Sequence, residues 1–346
     1  MDLLNRYMED IESRIQPEEE QSIWAAWMEF AQGACKSGPF VPPARTPRPS
    51  AIEWMPIAIN DAIENEESML LSQLSFLNEQ LRTANGLPLH IRANYGVGNL
   101  PSMFGAERFL MPPETNTLPN VRPLPGGLAA IEKLVEAPLP APTAGNGRAI
   151  AAIGQKFMAL RAQYPKFARY VIIDHPDLQG PMDVCELLVG SDLFYALYDE
   201  PALIHALLAK ITAQYQRAME FWLSIVPNAP EGYASYFGEL SLGKIVLRND
   251  SAMNLSPEMY EEFIRPYDAQ LLRHFGGGTV HFCGRGEHFI DAMSRIPDLH
   301  GINMSQPHLN DMGKILSCTV DRGIPLRCAK GDYDFSGHNA RLLYQF

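Results

Sequence analysis

The sequence predicts one α/β domain over residues 1–346, folded as a (β/α)8 TIM barrel with an N-terminal helical extension and a proline-rich excursion after its second strand. Apolar strand-like runs alternate with helical runs from residue 150 onward, which is typical of parallel βαβ units. About eight such strands are enough to close a barrel. Gly276-Gly277-Gly278 precedes a strand instead of opening a helix, so a dinucleotide-binding fold is disfavoured.

The first third of the chain contains the extension, two strands and the excursion. Residues 1–45 form the extension, in which Pro17 and the acidic residues after it open a helix with an aromatic stripe. A first strand is predicted over 51–59, a helix over 62–82 and a second strand over 87–95. Residues 97–147 are rich in proline and glycine and lack periodicity, so they are predicted to be an excursion that could form a lid.

The remaining chain alternates more regularly. Ser256 followed by Pro257 gives a strong helix start, because serine caps and proline fits the first turn. Predicted strands cover residues 169–174, 244–250, 278–283, 299–305, 324–328 and 341–346. Predicted helices cover residues 150–163, 183–198, 200–226, 287–295 and 310–321, with one more beginning at 256.

Composition excludes several classes of function. The net charge is −12 and no basic cluster occurs, so nucleic acid is not an expected partner. No apolar run reaches the ~18 residues that a membrane span needs, and the first residues do not resemble a signal peptide, so we expect a cytoplasmic protein without a membrane partner. Five cysteines at irregular spacing argue against a disulfide framework.

In a (β/α) barrel the catalytic groups lie at the carboxyl ends of the strands, and the predicted tips here are polar. The candidate acid or base residues are Asp174, Asp177 and Asp250. The candidate substrate-binding residues are Asn94, Tyr95, His175, Gln179, Ser305 and Gln306. An alternative for Asp177 and Asp250 is that they cap the helices that follow them.

His281 and Cys283 are two residues apart on a predicted strand, so their side chains point to the same face. Imidazole nitrogen and thiolate sulfur together suit zinc, and three protein ligands would leave a position open for substrate or water. Cys328, at the tip of a later strand, is the predicted third ligand. His308 is its competitor, whereas Cys318 falls within a predicted helix and suits the core.

The run from Arg248 to Tyr267, RNDSAMNLSPEMYEEFIRPY, followed by His281-Phe282-Cys283-Gly284, resembles the uroporphyrinogen decarboxylase superfamily. The resemblance is strongest over residues 170–330. It implies a (β/α)8 barrel that carries either tetrapyrrole decarboxylation or cobalamin-dependent methyl transfer, because one fold supports both activities.

The decarboxylase branch has an arginine-rich segment after its first strand and an aspartate after its second. This sequence departs from both features, since residues 57–61 replace the arginines and Asn94 stands where the aspartate is expected. An amide stabilises a protonated pyrrole far less than a carboxylate does. Decarboxylation of a tetrapyrrole in porphyrin biosynthesis is therefore the second hypothesis. A third is a non-catalytic tetrapyrrole- or corrinoid-binding protein with residues 97–147 as its clamp.

In the methyltransferase branch, a His-x-Cys pair on the fifth strand and a later cysteine hold zinc, and His281 and Cys283 fall at that position. The resemblance implies methyl transfer between a corrinoid and a thiol or similar acceptor, with zinc and a corrinoid as cofactors. A corrinoid carrier protein and a homodimer are the implied partners. The later Gly-Cys-Gly of that branch is missing here, so either another residue completes the site or the pair has a different role.

Overall fold

The computed structural model describes residues 3–346 and has a mixed α/β fold built on parallel strands. The helices are α1 (Leu3–Arg14), α2 (Pro17–Ala31), α3 (Ile59–Glu64), α4 (Glu66–Leu81), α5 (Asn99–Met103), α6 (Leu128–Glu136), α7 (Gly147–Gln163), α8 (Pro165–Tyr170), α9 (Pro181–Val189), α10 (Leu193–Asp199), α11 (Pro201–Ile225), α12 (Pro257–Met259), α13 (Arg265–Phe275), α14 (Ile290–Met293) and α15 (Met312–Cys318). A π-helical turn over Tyr260–Ile264 joins α12 to α13. None of the helices described here is both long and apolar enough to span a membrane.

The strands form two parallel sheets and two short antiparallel hairpins. They are β1 (Leu89–Arg92), β2 (Arg108–Phe109), β3 (Asn120–Val121), β4 (Val171–Asp174), β5 (Tyr233–Tyr236), β6 (Glu239–Leu242), β7 (Ile245–Arg248), β8 (Gly278–Phe282), β9 (Leu299–Met304), β10 (Leu326–Cys328) and β11 (Leu343–Gln345). Strands β7 to β11 pair in chain order, β1 pairs with β4, and the hairpins are β2–β3 and β5–β6.

The predicted alternation of parallel strands with helices is confirmed, but the predicted closed barrel is not observed over residues 3–346. The strand predicted over 51–59 is wrong, because residues 51–58 are irregular and α3 begins at Ile59. The ladder is also interrupted between β4 and β7. The β5–β6 hairpin lies at this interruption, and its strand β5 contacts both β4 and β7.

Hydrogen bonds outside the ladders join the two sheets. The backbone N–H of Gly180, after β4, donates to the carbonyl oxygen of Arg248 over 2.8 Å. His175 Nε2 accepts from the backbone N–H of Val246 over 3.0 Å. At the far edge, Phe40 forms a parallel bridge with Tyr344. The loop after β4 is therefore fixed against β7, the strand that leads into Asp250.

One face of the larger sheet is apolar and the other is polar. Leu247, Val280, Ile302 and Leu326 are register partners on β7 to β10, and all four are fully buried in the main hydrophobic core. The next register row consists of Arg248, His281, Asn303 and Arg327. Because consecutive residues of a strand face opposite sides, these four polar side chains share the face opposite the apolar row.

The helical extension and the excursion are both ordered parts of the fold. Trp27 and Phe30 of α2 pack with Phe40, Leu240 and Tyr344 in a second, smaller core. The excursion contains α5, the β2–β3 hairpin and α6, and α5 contacts α7, α9 and α11. That the excursion acts as a lid stays a prediction.

Candidate metal centre

Three potential ligands converge at the carboxyl ends of β7 and β8. His281 Nε2 lies 3.4 Å from Cys283 Sγ and 3.5 Å from Asp250 Oδ1. One donor atom from each of the three residues lies within 4.8 Å of the others. Atoms bound to one tetrahedral zinc ion at 2.0–2.3 Å are about 3.3–3.8 Å apart, so the two distances from His281 Nε2 suit a shared zinc ion.

The loop after β7 brings Asp250 to this position. Asp183, near the start of α9, accepts hydrogen bonds from the backbone N–H groups of Asp250 and Ser251 over 3.0 Å and 2.9 Å. Asp250 Oδ1 in turn accepts from the backbone N–H of Cys283 over 2.9 Å. These bonds hold the carboxylate beside the His-x-Cys pair, while nearly half of the Asp250 side chain stays exposed.

The protonation pattern of His281 follows from its neighbours. Asn303 Nδ2 donates to Glu239 Oε2 over 2.8 Å, so the amide oxygen of Asn303 faces His281, where Nδ1 lies 2.6 Å away. An amide oxygen only accepts, so this arrangement places the proton of the neutral ring on Nδ1 of His281. Burial lowers the pKa of His281, with the charge of Asp250 opposing it. The neutral ring then presents an Nε2 lone pair to Asp250 and Cys283, the tautomer that a metal ligand requires.

Cys283 is half-buried, and burial raises the pKa of its thiol to about 11, although Ser305 acts in the opposite direction. The pKa of Asp183 is raised to about 8 by burial and by the charge of Asp250. A soft thiol, a neutral imidazole and a carboxylate are all ligands that zinc accepts, and a bound cation would stabilise the thiolate. The donor set thus fits zinc.

The predicted third ligand, Cys328, is not part of this group. It is fully buried, and its Sγ lies 2.8 Å from the hydroxyl oxygen of Tyr333. Asp250 takes the third place instead. The sequence already indicated Asp250 as a polar strand tip, but nothing local showed that Asp183 would fold the following turn toward His281.

Two other predicted residues contact the site from the turn that follows β9. Ser305 Oγ lies 3.5 Å from Cys283 Sγ. Gln306 Oε1 accepts from the backbone N–H of Gly284 over 2.6 Å, which fixes the turn after Cys283. Both side chains are partly exposed, so this side of the centre is open to solvent.

The other predicted residues lie deeper or are engaged within the protein. Both ring nitrogens of His175 are occupied, by Val246 and by the carbonyl oxygen of Pro176, and burial lowers its pKa to about 4. Asp174 is buried, and neither of its carboxylate oxygens has a hydrogen-bond partner in residues 3–346. Buried atoms of Asn94 and Tyr95, Oδ1 and the hydroxyl, likewise have none there.

Asp177 lies at the centre of a cluster that sequence reasoning missed. Its Oδ1 is 3.1 Å from Arg248 Nε and its Oδ2 is 4.0 Å from Arg92 Nη1, and Gln179 donates to it. Burial favours the protonated carboxyl, but the two arginines outweigh it and the pKa of Asp177 lies below its usual value. Asp177 is therefore the counter-ion of two buried guanidinium groups.

The tip of the β5–β6 hairpin links this cluster to His281, one of the candidate ligands. The Arg248 guanidinium lies 4.9 Å from the Tyr236 ring centre, and that ring lies 5.1 Å from the His281 ring. Arg92 lies 4.6 Å from the ring of Phe237, which is 42% exposed and has a positive φ of 50°. The hairpin turn at Tyr236 and Phe237 therefore lies beside the candidate centre, and the Phe237 ring is exposed to solvent.

A cavity of about 360 Å³ adjoins the centre on the side of α9. Its lining includes Asp250, Asp183, Glu186, Gln179, Asn120 and Val97, the last two from the excursion. A ligand in this cavity would reach the exposed carboxylate of Asp250.

No family model and no curated protein matches this chain. Among solved structures, the chain is similar to a methyltransferase from Methanosarcina mazei, with a TM-score of 0.63 and 15% sequence identity. The match covers 90% of this chain and 84% of the methyltransferase. At this identity the similarity shows a shared fold.

Proposed function

We propose that the chain is a zinc-dependent methyltransferase-type enzyme that moves a methyl group between a corrinoid and a thiol or similar acceptor. The observation that carries the proposal is the convergence of Asp250, His281 and Cys283, with Nε2 of His281 free to bind a cation. The fold shared with a methyltransferase supports the same reaction class.

Each residue of the site would have its own role. Asp250, His281 and Cys283 would hold zinc, which when bound lowers the pKa of an acceptor thiol so that it reacts as the thiolate. Asp183 would keep Asp250 in place through the two backbone N–H groups. Because Asp250, Cys283 and Ser305 are all partly exposed, an acceptor can approach from solvent and meet a large methyl donor at the same opening. A corrinoid carrier protein and a second copy of the chain remain proposed partners.

A direct assay tests the reaction. The zinc-loaded protein is mixed with methylcobalamin and a panel of thiols, and loss of the methylcobalamin absorbance is followed together with thioether formation by mass spectrometry. We expect turnover that needs both protein and zinc, and a large loss in Cys283→Ala. Absence of transfer to any thiol by a protein that binds zinc would remove the proposed reaction while leaving the metal centre.

A second candidate is the decarboxylation of a tetrapyrrole or smaller acid, favoured by the guanidinium groups of Arg92 and Arg248 beside the tip of the β5–β6 hairpin. Arginine forks bind carboxylates well, but here both already share Asp177. This reaction would be supported if the protein released carbon dioxide from uroporphyrinogen and Cys283→Ala did not affect the release. Tight binding of cobalamin or porphyrin without any turnover would instead indicate a binding protein.

A further inference from the structure

Side chains from three neighbouring strands and one hairpin form a continuous chain of contacts that ends at His281. His281, Asn303 and Arg327 are register partners on β8, β9 and β10, so sheet pairing alone aligns them on one face. Glu239, the first residue of β6, lies over this row. It accepts from Asn303 Nδ2 over 2.8 Å and lies 3.9 Å from Arg327 Nε.

We propose that Glu239 and Asn303 are positioning residues that hold His281 in the tautomer with its proton on Nδ1, leaving Nε2 for the metal. Burial raises the pKa of Glu239 to about 7. Above that pH its carboxylate can only accept, so Glu239 fixes which end of the Asn303 amide faces it. The amide oxygen is then committed to His281 Nδ1, 2.6 Å away. Each member thus determines the orientation of the next.

Burial makes each of these hydrogen bonds hard to replace. Exposed fractions are 4% for His281, 2% for Asn303 and 6% for Glu239, so water cannot readily replace a lost partner. Arg327 supports Glu239 from the other side and also donates to the carbonyl oxygen of Leu240. Without Glu239 the amide would be free to rotate and to donate to Nδ1 instead. The proton would then move to Nε2, where it would point at Asp250 and Cys283 and block a cation.

We call the series Glu239, Asn303 and His281 the relay. It gives a role to Glu239 and Asn303, to which the sequence assigned none. Metal-binding histidines commonly donate their other ring N–H to a carboxylate or carbonyl oxygen, and removal of such partners typically lowers metal affinity by about 10–100-fold. Here an amide stands between the imidazole and the carboxylate. The consequence for metal affinity rests on the proposed zinc site, whereas the tautomer itself does not.

The tautomer can be measured in the metal-free protein by ¹⁵N NMR of histidine side chains, at about pH 8.5 so that a neutral ring is observed. The His281 signals are assigned from their loss in His281→Gln. We expect a protonated Nδ1 and an unprotonated Nε2 in the wild type. Glu239→Gln should give a mixture, because a glutamine can face Asn303 with either end of its amide.

A double variant that exchanges the carboxylate and the amide should restore the wild-type tautomer of His281. In the double variant Asn303→Asp, Glu239→Gln, the new carboxylate accepts from His281 Nδ1 and from the new amide, so the wild-type tautomer should return. Asn78→Ala is the matched control, because it removes a buried amide of α4 that accepts a hydrogen bond from Arg14 of α1, and it should leave the tautomer unchanged. A wild-type His281 with its proton on Nε2, or a swap that fails to restore Nδ1–H, would overturn the relay.

A second readout connects the relay to the metal. Asn303→Ala should bind zinc about 10–100-fold more weakly than the wild type in competition with a chelator. Equal affinity in Asn303→Ala and the wild type would overturn the proposed effect on metal binding. If the wild type binds no zinc but keeps Nδ1–H, the proposed function fails while the relay stands.

Discussion

Asp250 Oδ1 and His281 Nε2 lie 3.5 Å apart, and both atoms are hydrogen-bond acceptors. Two lone pairs facing each other at the end of a buried strand repel unless a proton or a cation lies between them. Burial lowers the pKa of His281 and disfavours the proton. Cys283 adds a sulfur 3.4 Å from the same nitrogen, so a metal ion bound to all three groups would relieve this repulsion.

The third ligand can be tested by comparing two variants. Asp250→Ala should lower zinc affinity strongly, because it removes one donor atom of the group. Cys328→Ala should leave zinc content unchanged and only loosen the core around Tyr333 by about 1 kcal/mol. Zinc titration with a competing chelator measures both, and loss of zinc in Cys328→Ala with retention in Asp250→Ala would favour the ligand predicted from sequence.

Asp177→Asn should destabilise the protein by roughly 3–5 kcal/mol in urea unfolding, because it leaves two buried guanidinium groups without their carboxylate. Glu107→Gln breaks an ion pair with Arg122 whose side chains are mostly exposed, and should cost about 0–1 kcal/mol. Equal losses in the two variants would show that the cluster is not a buried ion pair.

Asp268 should make stability depend on pH. It is fully buried and accepts from Asn249 Nδ2, and burial raises its pKa to about 7. Its folded-state pKa lies above the unfolded one, so its contribution is full below about pH 4 and falls by up to about 1.4 kcal/mol per pH unit as the pH rises to 7.

Asp268→Asn removes this loss, because the amide oxygen can still accept from Asn249. The variant should therefore gain stability relative to the wild type between pH 5 and pH 8, as measured by urea unfolding at both values. A stability difference that is the same at both pH values would mean that Asp268 does not titrate in this range.

Gly180 should be required where the loop after β4 crosses β7. A Cβ there would lie 2.5 Å from the carbonyl oxygen of Arg248, which is backbone and cannot move aside. Gly180→Ala should destabilise the protein by about 1–3 kcal/mol. Gly313→Ala, on α15, is the control; a Cβ there would lie 3.3 Å from Asp311 Oδ1, and the change should be neutral or slightly stabilising. Thermal unfolding distinguishes the two.

Much of the local structure could be predicted because its signals are local. Alternation along β8 placed His281 and Cys283 on one face, and Ser256 does cap the turn that begins at Pro257, through its hydroxyl and the N–H of Met259. The polar strand tips also indicated Asp250 before its contacts were known. These inferences need only the two-residue period of a strand and the chemistry of a cap.

The remaining features depend on contacts between distant residues. The β5–β6 hairpin was missed, although alternating residues flank Phe237-Gly238, whose positive φ angles of 50° and 82° suit a two-residue hairpin turn. Asn303 could not be assigned a role from sequence, because that role depends on its register with His281 and on Glu239. The strand predicted over 51–59 has the composition of a strand but no neighbour to pair with, and pairing is not encoded locally.

The most direct test of the account is the metal content of protein purified without added metal, measured by mass spectrometry for the wild type and for the double variant His281→Ala, Cys283→Ala. We expect about one zinc ion per chain in the wild type and almost none in the variant. Folding of the variant is checked by circular dichroism. A wild-type protein free of metal even after incubation with zinc, or equal zinc in both proteins, would contradict the metal centre on which the proposed function depends.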